Sequence, residues 1–237
     1  MIRFTESVIE AAFRARQAAY PKWNADLYLP VWKLASSAFD ERQPSKTAFD
    51  GLYSELKGKW QVFRNLGIGT ALNADEAWKM LSEMPQRARR LCLSELGAEH
   101  EDVVREAVDK ARSIKTGRQG ASLVAMTKFL HFWNPRLFVI IDREVMANNV
   151  LRRLWLKQTL PADFAADADH YVELLQWAAA IVRGNPAILP AFSRHIRSFV
   201  DLRSLPEGWE TYEATAVEWF LEGVVELQPD GVSESKR

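Results

Sequence analysis

Lys128, His131 and Asp142 stand in the most apolar run of the sequence, GASLVAMTKFLHFWNPRLFVIIDREVM (120–146). An amine lifted out of water loses proton affinity and can serve as base or nucleophile near neutral pH. A carboxylate fixed at the start of a helix can cap it, or can steady a cation or orient a water. Leu123, Val124, Met126, Phe129, Leu130 and Trp133 describe a strongly apolar helix ended by Asn134-Pro135, and Lys128 lies among them. Its stem must therefore run along apolar surface to water or to a partner. His131 follows almost one turn later on a neighbouring strip and can share the same opening. The next five residues, LFVII (137–141), are too few for a helix and read as a fully buried extended segment. That segment ends at Asp142, with Val145 and Met146 resuming the helical period. The cap reading and the catalytic reading of Asp142 are compatible.

The elements that must hold these residues are helical. Apolar residues recur at three and four positions nearly throughout, as in Val8, Ile9, Ala12, Phe13 and in Phe49, Leu52, Tyr53, Leu56, whereas strand-like alternation is scarce. Ser7 with Glu10, Thr47 with Asp50 and Asn73 with Glu76 have the spacing of capping pairs. Gly58, Gly67, Gly97 and Gly184 read as helix stops of positive φ, and Pro30, Pro85, Pro161, Pro186, Pro190 and Pro206 as further breaks. Helices are expected near 5–20, 29–39, 47–57, 59–66, 74–84, 86–96, 99–113, 120–133, 143–158, 168–183, 190–203 and 211–226, some merging or fraying. The nine tryptophans are spread along these segments, which suits packing anchors. The fold class is thus all-α: one compact multi-helix domain over 1–228, with room for two lobes (1–116 and 117–228) around a cleft. Residues 229–237 read as a disordered tail.

Composition narrows the rest. Cys92 is the only cysteine, so an internal disulfide and a thiolate zinc cluster are both excluded. Placed inside the expected 86–96 helix, it reads as an inert core thiol. The opening MIRFTESVIEAAFRARQ carries charges where a secretory signal needs an apolar core, and no stretch is apolar for the thickness of a bilayer, so a cytoplasmic protein without membrane contact is expected. Net charge is zero, but residues 105–157 hold eleven Lys and Arg against four acids, and residues from 206 onward hold eight acids against two bases. Separate basic and acidic faces permit nucleic-acid contact without requiring it. The glycines of LGIGTAL (66–72) lack the third glycine and the preceding strand of a dinucleotide loop. The four histidines never pair at i, i+4, and DFAADADH (163–170) lacks the glycine and terminal glutamate of a calcium loop. No metal or cofactor is expected.

A glycine-flanked turn, an apolar helix, a proline turn, a short buried apolar run and then an aspartate follow in order from Gly117 to Met146. Over these roughly thirty residues the chain resembles the helix-hairpin-helix DNA glycosylase superfamily, particularly its 8-oxoguanine-glycosylase-like bacterial relatives. The resemblance implies an all-helical, two-lobed fold around a cleft, double-stranded DNA as partner, and action on or binding of a modified base. It implies that Gly117, Arg118 and Gly120 form the hairpin turn on the DNA backbone and that Asp142 is the catalytic aspartate. Some members add a lysine nucleophile. Counted back from Asp142 that position falls near Ser122 or Leu123, while Lys128 opens an LHF-like sequence, Lys128 to Phe132, that some relatives share. Excision requires a flipped base, for which His131 and Trp133 are candidate walls, with Arg143, Arg152 and Arg153 on phosphates. Arg152 and Arg153 read equally well as an exposed helix face. A second function class is a non-enzymatic interaction module that docks a protein partner through the acidic last helix, 211–226, and the basic middle. A third is a small-molecule enzyme using Lys128 as base.

Overall fold

The computed structural model describes residues 3–21, 25–60, 73–112, 123–141, 150–151, 153–154 and 168–227, apart from the side chains of residues 25, 26, 123, 124 and 168. Among these residues there are ten α-helices and no strand, an all-α domain. They are α1 (Glu6–Ala19), α2 (Ala25–Ala38), α3 (Lys46–Gly58), α4 (Ala74–Ser82), α5 (Gln86–Arg90), α6 (Glu101–Arg112), α7 (Leu123–Trp133), α8 (Ala168–Gly184), α9 (Ile188–Arg197) and α10 (Glu213–Leu227). No helix of the described residues is long and apolar enough to cross a membrane.

The last helix is the centre of the molecule. Every residue of α10 from Glu213 to Val225 is buried. Helix α1 lies along it, α9 packs on both, and α8 closes another side. The pairs α2 with α3 and α6 with α7 complete the layers. One apolar cluster runs from Ile9 to Val225, so both ends of the described chain share a single core. Helix α6 shows the ordinary logic: Val104, Ala107, Val108 and Ala111 repeat at the helical period and form its buried stripe.

That logic fails for α10, and the expected acidic docking face is corrected here. Glu213, Glu218 and Glu222 are buried, and each meets a donor from a distant part of the chain. Glu213 accepts the Ser94 N–H at 2.6 Å and the Ser94 hydroxyl at 2.7 Å. Glu218 accepts the Tyr28 hydroxyl at 3.2 Å and the Ile140 N–H at 3.2 Å. Glu222 takes the Arg16 Nε at 2.8 Å, and half-buried Glu226 takes the Tyr20 hydroxyl at 2.7 Å. A helix surrounded on all sides by its own chain has no solvated face, and buried carboxylates persist only when hydrogen-bonded or paired.

Several local expectations also change. The capping pair Asn73 with Glu76 forms as expected, but the cap of α1 is Thr5, accepting from Val8, and that of α3 is Ser45, accepting from Ala48. Helix α2 runs through Pro30 instead of starting near it; the lost backbone hydrogen bond is offset by burial of Tyr28, Val31, Trp32 and Ala35. The segment expected as one helix over 86–96 ends at Arg90 and resumes as a single 3-10 turn, Leu93–Glu95. Cys92 therefore lies between elements, half-buried, with burial pushing its thiol pKa up. Among the described glycines only Gly208 has positive φ, at 75°, so Gly58, Gly97 and Gly184 end or begin turns without left-handed backbone. The segments expected at 59–66 and 143–158 lie almost wholly outside the described residues, whereas π-type turns occur at 150–151 and 153–154.

Candidate functional site

Helix α7 ends where Asn134 N–H reaches the Leu130 carbonyl at 2.8 Å, and the Asn134 side chain then ties three segments together. Its Nδ2 donates to the Ala88 carbonyl at 2.8 Å and the Leu91 carbonyl at 2.9 Å, while Oδ1 accepts the Arg136 N–H at 3.1 Å. Pro135 offers its carbonyl to Ala214 N–H, and Arg136 its carbonyl to Leu93 N–H, at 3.2 and 3.0 Å. The Asn-Pro stop is thus a junction between α5, α7 and the start of α10.

Beyond it, residues 137–141 are buried, with Leu137 and Phe138 wholly so. Residues 138–141 belong to neither helix nor strand. A buried backbone without a regular ladder must find other partners. Here side chains from three helices supply them. His131 of α7 donates from Nδ1 to the Phe138 carbonyl at 2.7 Å, and Tyr171 of α8 donates to the Val139 carbonyl at 2.7 Å. Glu218 of α10 accepts from Ile140 N–H, and Thr127 of α7 accepts from Ile141 N–H at 3.0 Å. Four consecutive residues are held by four buried side chains, and the next residue is Asp142.

The protonation states suit this clamp. His131 is fully buried, and burial lowers its pKa to about 4 against the opposing effect of its bond to the Phe138 carbonyl. It is neutral at pH 7, with the proton on Nδ1, so Nε2 accepts the Thr215 hydroxyl at 3.1 Å. Burial first, and then the Glu218 carboxylate, push the Tyr28 and Tyr171 hydroxyls well above the ordinary phenol pKa, keeping both as donors. His131 carries a linkage prediction. Its folded pKa lies below its unfolded value of 6.5, so the unfolded chain takes the proton first. Stability is then fully present above pH 6.5 and is lost as pH falls towards 4. Between pH 7 and pH 5 this group should remove about 2 kcal/mol. His195, lowered to about 4 by burial and by Arg16 and Arg14, acts in the same window and direction. Urea unfolding followed across that range should show the fall, with a shallower slope in His131→Gln; identical slopes would contradict the neutral clamp.

The remaining sequence-predicted residues are distributed as follows. Lys128 is 5% exposed, and its Nζ donates to the Trp60 carbonyl at 3.2 Å, 5.4 Å from the centre of the Trp60 ring. Trp133 is 3% exposed but does line a pocket, together with Phe132, Trp32 and Tyr212. His131 does not line that pocket, and both of its nitrogens are engaged inside the core. Arg153 is half-buried and donates from Nη1 to the Val225 carbonyl at 3.4 Å, at the end of α10. Gly117, Arg118, Gly120, Asp142, Arg143 and Arg152 lie outside the described residues. In the sequence, Lys128 and Asp142 each directly follow one partner of the Thr127 to Ile141 hydrogen bond.

Sequence reasoning missed Thr127, Tyr171 and Glu218. Thr127 carried a signal, a hydroxyl inside an otherwise apolar helix. Tyr171 and Glu218 carried none, since a tyrosine and a glutamate in helices give no sign that they point inward. Among the described residues no three His, Cys, Asp or Glu side chains converge as a metal site. Comparison of the chain with protein-family models, with curated proteins and with solved structures finds no match.

Proposed function

We propose that this chain is a DNA-glycosylase-like protein that binds duplex DNA and acts on a modified base, with Asp142 as its catalytic carboxylate. The observation that carries this reading is the side-chain clamp on residues 138–141. A carboxylate that steadies developing charge must be held to within a fraction of an ångström, and it is best held by rigid elements beneath it. Thr127, His131, Tyr171 and Glu218 provide that support immediately before Asp142.

In the proposed step the glycosidic C1′–N bond breaks and its electron pair leaves with the base, which is protonated. The Asp142 carboxylate stabilises the cationic sugar, and a water adds to C1′ with loss of its proton. The step needs no amine nucleophile, and Lys128 is assigned to tying α7 to Trp60. Arg118, Arg143 and Arg152 would contact phosphates, giving an affinity that falls steeply with salt.

The test is base release from duplexes carrying single oxidised, deaminated or alkylated bases. The wild type should release at least one of them, Asp142→Asn should be slower by at least about 100-fold while still retained on DNA at low salt, and borohydride should trap no covalent adduct. Absence of both release and low-salt retention across the panel overturns the proposal; a borohydride-trapped adduct lost in Lys128→Ala would return the lysine to the chemistry.

A further inference from the structure

A pocket of roughly 210 Å³ opens where the end of α7 meets α2 and α5. It is small beside the 300–1,000 Å³ typical of drug-sized ligands, so it fits a compact ring. Trp32, Phe39, Phe132, Trp133 and Tyr212 contribute aromatic walls, and Arg89 and Arg136 contribute positive charge. None of these residues belongs to the clamp before Asp142.

Two of the lining residues carry incompletely satisfied donors. Trp32 is 1% exposed, and among the described residues its indole N–H has no acceptor. A buried donor without an acceptor is costly, and a ligand atom with a lone pair would relieve that cost. The Arg89 guanidinium makes no hydrogen bond or close ion pair with a described residue. It lies over the Phe39 ring, 5.8 Å from its centre. Burial opposes its charge most, the nearby Glu41 and Asp40 carboxylates favour it next, and the neighbouring Arg136 guanidinium adds a smaller like-charge repulsion. Both acids also have partners elsewhere. Asp40 accepts the backbone N–H groups of Arg42 and Gln43 at 2.8 and 2.7 Å, and Glu41 lies 3.5 Å from Arg90. The Arg136 guanidinium donates one Nη2 hydrogen bond to the Arg89 carbonyl at 2.8 Å and keeps its other donors; two half-buried guanidinium groups beside aromatic faces can receive a flat anion.

We infer that this pocket binds a small heteroaromatic carboxylate, its ring against the aromatic walls, its carboxylate on Arg89 and Arg136, and a ring acceptor facing the Trp32 N–H. This inference does not rest on base excision and adds a second, small-molecule site to the protein.

Nicotinate, nicotinamide and benzoate are the probes, read by quenching of tryptophan fluorescence and by titration calorimetry on the full chain. Nicotinate should bind saturably. Nicotinamide, with the same ring and no charge, should bind at least about tenfold more weakly, the scale of one charge-assisted hydrogen bond. Arg89→Gln, at a half-buried position, should abolish the preference for nicotinate over nicotinamide. Trp32→Phe should weaken nicotinate more than benzoate, which shares the aromatic wall but has no ring acceptor. No saturable binding of nicotinate up to about 10 mM, about ten times the dissociation constant of a weak millimolar complex, overturns the inference. So does equal binding of nicotinate and nicotinamide, or an unaltered preference in Arg89→Gln with an unaltered thermal midpoint.

Discussion

Gly223→Ala should unfold this protein more readily than any other single-methyl addition among its described glycines. A Cβ built at Gly223 overlaps the carbonyl oxygen, carbonyl carbon and Cα of Ala12, all backbone atoms of α1. Backbone cannot swing aside as a flexible side chain can, so the two helices must separate. Separation would loosen the packing of Ile9 and Phe13 into the shared core. Overpacking ordinarily costs 1–3 kcal/mol, and a clash with helical backbone belongs at or above the top of that range, about 3 kcal/mol or more. For a domain of this size that lowers the melting temperature by roughly 6–12 °C. Gly58 is the matched control, a helical glycine whose added Cβ meets nothing within 4 Å. Gly58→Ala should be neutral or slightly stabilising, because it removes freedom from the unfolded chain. Thermal unfolding followed by circular dichroism separates the two; equal midpoints would mean that α1 and α10 are not in backbone contact.

Arg16→Met should be comparably damaging for an electrostatic reason. Arg16 is 1% exposed, its Nε lies 2.8 Å from Glu222, and its guanidinium carbon sits 3.9 Å from the centre of the Trp219 ring. Removing one member of a buried ion pair strands the other, which typically costs 3–5 kcal/mol. The paired variant Arg16→Met with Glu222→Leu removes both charges, leaves apolar side chains in their place, and should recover most of that loss. Chemical denaturation of the single and double variants gives the coupling directly. A double variant no more stable than Arg16→Met alone would show that the pair is not the source of the damage.

The helical class was legible because it depends on periodicity, a local property. The boundaries of α3, α6 and α8 fall within one or two residues of where Phe49, Val104 and their neighbours placed them. The capping box at Asn73 was equally local. What failed was local evidence read as if it were global. The acids of α10, with 218, 222 and 226 at every fourth position, look like a solvated stripe; they are inward because Tyr28, Arg16 and Tyr20 reach them from about 190 to 206 positions away. The candidate site was legible in part. The apolar run, the Asn-Pro stop and the buried 137–141 segment are where the sequence placed them, though 138–141 is held by side chains from α7, α8 and α10 and pairs with no strand. His131 was read as a candidate wall for a flipped base, and its two nitrogens are used to hold the core.

The position of α10 also bears on how the chain is made. The helix around which the others assemble follows every one of them in the sequence, so a growing polypeptide emerges with its scaffold missing. Helices α1, α8 and α9 then lack the helix they pack against, and the apolar stripes they turn toward it stay open to water or to chaperones until α10 has emerged. Ribosome-stalled chains ending before Glu213 should therefore be protease-sensitive in α1, α8 and α9, and protection there should appear once α10 is released.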